Sequence, residues 1–421
     1  MTIHVVQKGE SLWRIANRYQ VPVSAIVKVN GLPSTNAIIP GLALYIPDEG
    51  IVKIRPYVVK AGNTLWQLAN RFNTTIEAIL QANPRINPNQ LYIGQRLQIP
   101  TPLKPKIDTL GFIIPYTPQS TLPILRTLSN SLTYVAVVSY SFTTQGYVYL
   151  LLDDTEVVRE SNRLGVTPLL MIRNFTTEGF EAELAGNVFA NPVYRRNLIN
   201  SLLRFVNEKE YGGVSLDIQF IPPARRREFN ILLNELKAAL GQRILHVNVH
   251  AKTEDLPTNR IVGAYDYQAI GEIADVVAVM TIDYGYPGGP PDPVAPLWWM
   301  YQVVSYATSL IDSRKVQIAF PLYGYDWRVS DNTTKALSVN GAQNLAITSN
   351  TVIEFDQVAA SPWYRYWKGM EEHIVWFEDI RSFQEKYNLV DQYQLLGVTY
   401  WHLNLSAPQN WVYLNNHFIV T

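Results

Sequence analysis

The sequence predicts an α/β protein: a (β/α)8 TIM barrel with a small α+β insertion before its last strand, preceded by two small βααβ modules. Three observations lead there. From about Ile107 onward, apolar strand candidates alternate with amphipathic helices, the pattern of a fold with parallel strands. The strand candidates number eight, which is the count of a closed barrel. Ahead of them the chain repeats itself without a gap, Val5 aligning with Val58 at an offset of 53 residues.

In that repeat, Val5-Val6-Gln7-Lys8-Gly9-Glu10-Ser11-Leu12-Trp13 matches Val58-Val59-Lys60-Ala61-Gly62-Asn63-Thr64-Leu65-Trp66. Asn30 then aligns with Asn83, Gly41 with Gly94, and Ile46-Pro47 with Ile99-Pro100. Each unit reads strand, helix, helix, strand. In the second, Thr64 with Gln67 and Thr74 with Glu77 have the spacing of a capping box and start two successive helices. Leu65, Leu68, Ala69 and Phe72 supply a helical apolar stripe. The modules are bounded at 1–49 and 54–101, and the Pro-containing run from Thr101 to Lys106 reads as a short, stiff linker to a barrel over 107–421.

The barrel strands are expected at 110–115, 134–140, 167–174, 214–220, 244–250, 276–284, 316–323 and 397–403. The last interval, about 70 residues, is too long for one crossover helix and its loops. Its excess, roughly 327–372, is assigned to the insertion. On the fourth strand, Val214, Leu216 and Ile218 alternate with Ser215, Asp217 and Gln219, so the second set shares one face. Residues at the C-terminal end of a barrel strand project into the mouth where such folds place their chemistry.

Composition narrows the function. At 421 residues the chain exceeds one ordinary domain and can bury a large core. Lys+Arg and Asp+Glu are equal at 35 each, which argues against nucleic acid or an anionic membrane as the main partner. Ten Trp and 25 Tyr suit stacking on sugar faces, although most such rings pack in cores. The absence of Cys excludes disulfides and thiolate chemistry. A structured pattern begins at Met1-Thr2-Ile3-His4 with no Sec-type signal before it, and no apolar run is long enough to span a membrane. Synthesis inside the cell and action without ordinary secretion, or a leader cut from the chain, are the expectations. His246 and His250 lie roughly 13 Å apart on one strand face, too far for one ion, and are read as barrel packing. No metal, cofactor or Gly-rich phosphate loop is expected, and the chain is expected to be a monomer.

The repeated unit resembles the LysM module, which binds the N-acetylglucosamine-containing backbone of peptidoglycan or chitin. The resemblance implies that Gly9, Glu10, Ser11 and Leu12, their partners Gly62, Asn63, Thr64 and Leu65, and the segments after Asn30 and Asn83 face the glycan.

The run Gly212-Gly213-Val214-Ser215-Leu216-Asp217-Ile218-Gln219 resembles the D-G-x-D-x-D-x-E signature of family 18 glycoside hydrolases, the chitinase family. Asp217 matches its last aspartate, Gly212 and Ser215 replace the first two, and Gln219 stands where the family has its catalytic glutamate. Further pieces are similar to the LysM-bearing, spore-cortex-lytic branch of that family: Ser139-Tyr140, Asn174, Met280-Thr281-Ile282-Asp283, Pro321 to Trp327, Trp376-Phe377-Glu378-Asp379 and Tyr400-Trp401. The resemblance implies catalysis by the substrate's own N-acetyl group, an exception to the two-carboxylate scheme. The glutamate would protonate the departing oxygen. The neighbouring aspartate would orient the acetamido group, which a tyrosine just before the sixth-strand aspartate also hydrogen-bonds. Asp217, Gln219 and Asp283 inherit the catalytic positions, and Tyr140, Asn174, Tyr284 and Trp401 the substrate-binding ones, with Trp401 flooring the subsite. Ile282 replaces the tyrosine, and a primary amide cannot supply a proton. Glu378 and Asp283 are the acids considered as substitutes.

Together these readings give a peptidoglycan- or chitin-type glycan binder of the bacterial spore cortex, coat or cell wall, with a barrel impaired in hydrolysis. The alternative is a spore-cortex N-acetylglucosaminidase with an altered acid.

Overall fold

Eight parallel strands close into a barrel in the computed structural model, which describes residues 2–47 and 53–421. Met1 and residues 48–52 lie outside the described residues, and with them the expected end of the first module at 49. In chain order the barrel strands are Lys106–Ile113, Tyr134–Phe142, Thr167–Arg173, Gly213–Asp217, Ile244–His250, Val276–Met280, Val316–Pro321 and Gly397–Trp401. Each pairs with its neighbours, and pairing of the first strand with both the second and the eighth closes the ring. Long apolar runs such as Val135–Val138 and Leu169–Ile172 are buried, as strands covered on both faces require.

Several strands end earlier than the sequence suggests, and for the fourth and sixth, which stop earliest, the reason is shared. The fourth ends at Asp217 rather than 220 and the sixth at Met280 rather than 284. Phe220 and Asp283, just beyond them, have φ of 55° and 58°, a left-handed conformation incompatible with a continuing strand. Phe220 and Ile282, beyond these strand ends, line the barrel mouth instead of extending the sheet.

The insertion is a five-stranded antiparallel sheet ordered Thr334–Ser338, Tyr323–Arg328, Glu371–Trp376, Ser361–Lys368, Glu354–Asp356, with helix Val339–Thr348 packed on it. It starts and ends four residues outside the expected 327–372, because the chain leaves the seventh barrel strand at Pro321 and re-enters a strand at Tyr323.

Both N-terminal modules are βααβ: Thr2–Val5, Leu12–Tyr19, Val23–Val29, Ala43–Ile46, and then Lys53–Val58, Leu65–Arg71, Ile76–Ala82, Arg96–Thr101. Thr64 and Gln67 form the expected capping box. The next helix is capped by Thr75, not Thr74: Thr75 Oγ accepts from Ala78 N at 3.1 Å, which puts Glu77 in the first turn rather than at the reciprocal position. The expected stripe of Leu65, Leu68, Ala69 and Phe72 forms the second module's core with Ile79, Leu97 and Ile99.

Candidate active site at the barrel mouth

A cavity of about 600 Å³ opens at the C-terminal ends of the barrel strands, within the size range of small-molecule sites. Asp217 ending the fourth strand and Gln219 just after it, Ile282 and Asp283 after the sixth, and Trp401 ending the eighth all line it. Residues separated by up to 184 positions in the chain thus meet in one place because parallel strands all deliver their C-terminal ends to one rim.

At its centre the Gln219 amide donates from Nε2 to Asp217 Oδ1 at 3.0 Å and to Oδ2 at 3.3 Å. The loop that carries Gln219 is fixed from beneath. Gln219 N donates to Asn174 Oδ1 at 2.9 Å, and Asn174 Nδ2 donates to the carbonyls of Gln219 and Glu181 at 2.8 Å each. The Tyr265 hydroxyl donates to the Ile218 carbonyl at 2.7 Å. Burial raises the Asp217 carboxyl to about 6, opposed by the Gln219 hydrogen bond and by the Arg173 guanidinium on the adjoining strand. Across the cavity Asp283 Oδ1 accepts from the hydroxyls of Tyr323 at 2.6 Å and Tyr325 at 2.9 Å. Its carboxyl is likewise raised by burial, with the two phenols pulling the other way.

The remaining expected site residues divide. Tyr140 is buried on the far side of its strand, its hydroxyl donating to Asp154, which also accepts from Tyr211 and pairs with Lys209. It takes no part in the cavity, because a register shift between Val138 and Tyr140 turns it outward to the helices. Asn174 supports the Gln219 loop rather than lining the cavity. Tyr284 packs on Trp298 and Trp299 behind the wall. Glu378 is fully buried in an ion pair with Lys386 and absent from the cavity, so it is no substitute acid. His246 is buried in the barrel with Nδ1 2.9 Å from Ser215 Oγ, whereas His250 lines the cavity beside Phe220.

Sequence reasoning passed over several lining residues. Arg173 lies beside Asp217 with its guanidinium over the Phe175 ring and its Nε unpartnered among the described residues. Tyr286, from the Pro- and Gly-rich loop read as either cleft wall or turn, reaches the cavity, as does Trp299. Arg173 carries a sequence signal, a cation ending an apolar strand next to the expected asparagine. Trp299 carries none beyond its apolar helix.

In the modules, most expected glycan-facing residues serve the fold. Leu12 and Leu65 are buried in the module cores, because the first helical turn faces inward there. Ser11 and Thr64 are helix N-caps. Glu10 accepts from Gln7 N and lies 2.8 Å from His4 Nε2, and Asn63 accepts from Lys60 N and the Tyr57 hydroxyl. The Asn30 and Asn83 side chains each tie the second helix to the last strand by hydrogen bonds to backbone groups of both. Gly9 and Gly62, at φ of 84° and 80°, keep open space beside them.

Comparison with known proteins agrees with this architecture. The family model for glycosyl hydrolases family 18 matches residues 184–405, and the LysM domain matches 4–47 and 57–100. A cortical fragment-lytic enzyme of Bacillus subtilis (strain 168) is 32% identical over 86% of this chain and 98% of its own. The crystal structure of the Bacillus megaterium QM B1551 spore cortex-lytic enzyme SleL superposes with a TM-score of 0.83 at 30% identity, covering 100% of this chain and 98% of that one. The Bacillus cereus spore cortex-lytic enzyme SleL gives 0.86 at 28% identity, covering 100% and 99%. With a closed barrel, a site at its C-terminal rim and matches of this extent, the chain belongs to glycosyl hydrolases family 18 and carries two LysM domains ahead of its barrel.

Proposed function

We propose that this protein binds the N-acetylglucosamine-containing glycan of spore peptidoglycan and that its barrel holds the chain with little or no cleavage. The relatives named as cortex-lytic, matched over nearly their whole length, support the cortex as the material. The observation that carries the loss of cleavage is the Gln219 amide bonded to Asp217 at the position of the family's proton donor. An amide donates a hydrogen bond but gives up no proton to a leaving oxygen. Loss of a general acid costs about 10²–10⁴ in rate. Ile282 places an alkyl side chain in the same cavity where the family has a phenol, a loss of a few kcal/mol on the order of a missing oxyanion donor, which need not add to the first. What remains, Asp217, Asp283 and the Trp401 face, suits recognition of an N-acetylated sugar: a carboxylate to accept from an acetamido N–H and an aromatic floor for the ring.

A second reading, a slow spore-cortex N-acetylglucosaminidase, draws on Asp217, whose carboxyl near pH 6 keeps a proton in a range suited to acid catalysis. Release of new reducing ends from cortex fragments separates the two. The binding reading expects none above a protein-free control between pH 5 and 8, while steady release by the unmodified chain establishes the second.

A further inference from the structure

The two LysM domains share a fold and a repeat register but not an environment. By the glycan-facing segments named above, each module needs its first loop and the segment after Asn30 or Asn83 to be open. The first loops are open in both, and Trp13 and Trp66 beside them are each 67% exposed. The second segments differ where they approach the last strand, at the pairs 39/92, 40/93 and 41/94. Ile39 in the first module is 3% exposed, while its counterpart Tyr92 is 59% exposed and the following Ile93, counterpart of Pro40, is 76% exposed. Gly41 and Gly94 have the same backbone, φ 83° and 87°, yet a Cβ on Gly41 would lie 1.8 Å from the Ile353 carbonyl oxygen, and one on Gly94 would meet nothing within 4 Å.

What covers the first module is the barrel's own insertion and flanking helices. Ile353 N donates to the Pro40 carbonyl at 3.1 Å, and Arg381 Nη2 reaches the Gly41 carbonyl at 3.3 Å. A Cβ on Gly31 would lie 2.6 Å from Asn340 Oδ1. Gln343 donates to the Asn30 carbonyl and Gln409 to Asn30 Oδ1 and the Ala43 carbonyl. The core continues across the junction, with Leu12, Ile26 and Ile39 in one cluster with Ala342, Ile353 and Tyr364. The second module keeps a separate core and meets the barrel through polar side chains: Arg55 with Asp391, Lys60 with Gln394, and Arg96 with Tyr301.

We infer that the second LysM domain alone binds glycan, through the open segment that carries Tyr92 and Ile93, and that the first has become a structural clamp between barrel and insertion. This rests on the glycan-binding reading above and assigns it to one module. Apolar and aromatic side chains left exposed beside an open loop are the surface a sugar face would cover. Side chains at the same places in the first module are already covered by protein.

The test is sedimentation of the full chain with insoluble spore peptidoglycan and, in parallel, chitin particles. Tyr92→Ala combined with Ile93→Ala should weaken pelleting at least tenfold. Thr35→Arg combined with Asn36→Arg, placed on the part of the first module's segment that stays exposed, should pellet like the unmodified chain. All four positions are at the surface, and unchanged thermal unfolding certifies each fold. Undiminished pelleting of the Tyr92/Ile93 variant, or an equal loss in the Thr35/Asn36 variant, overturns the assignment. If the unmodified chain pellets with neither material, the glycan-binding reading itself falls, and the assignment with it.

Discussion

At the scale of single residues, the site stores cost as well as chemistry. Asp217 is buried with a carboxyl raised to about 6 from an ordinary 3.8. A group protonated more readily in the folded than in the unfolded state stabilises the fold below about pH 4, and that stability drains away as pH rises through about 6. Asp217→Asn is therefore expected to raise thermal stability at pH 7 by up to about 3 kcal/mol, with the gain shrinking toward zero near pH 4. Melting curves across that range check it, and a gain independent of pH contradicts it. Phe220 and Asp283, both lining the cavity at positive φ, add strain of about 1–3 kcal/mol each. This part of the site was legible in advance only as identity. The sequence could place Asp217, Gln219, Asp283 and Trp401 at strand ends. It could not show that Tyr140 is turned outward by a one-residue register shift, since a bulge leaves no periodic trace.

At the scale of elements, the repeat was readable and its divergence was not. The βααβ order, the Thr64 cap and the apolar stripe follow from local patterns that need no partner. Occlusion of the segment after Asn30 depends on Ile353 and Arg381, more than 300 positions away, and no local pattern reports such an approach. A matched pair of substitutions measures it. Gly94→Ala meets only an unfavourable positive φ and should cost about 1 kcal/mol. Gly41→Ala meets the same φ and a backbone carbonyl at 1.8 Å, so the insertion must shift and the cost should be several-fold larger. Denaturant unfolding of the two variants decides this, and equal destabilisation would mean that the insertion does not press on the first module. The insertion shows the same limit: its existence followed from an over-long interval, but its start at Tyr323 is set by antiparallel pairing with Thr334–Ser338, which no local pattern reports.

At the scale of the whole molecule, the chain is a barrel with one module built into it and another held to it by polar contacts. The second module, with its own core, should unfold as a separate calorimetric transition of about 30 kcal/mol, while the first melts with the barrel. A single transition for the full chain would argue that all parts are equally fused. That arrangement suits a protein that grips a polymer with one arm and presents a barrel mouth to the same strand. On the proposed reading, Gln219 is the main reason this mouth is silent. The most direct measurement is mass spectrometry of cortex fragments after incubation with the unmodified protein and, side by side, with Gln219→Glu. Intact fragments are expected from the first and shortened, N-acetylglucosamine-terminated fragments from the second. Shortened fragments from the unmodified protein would contradict the loss of cleavage.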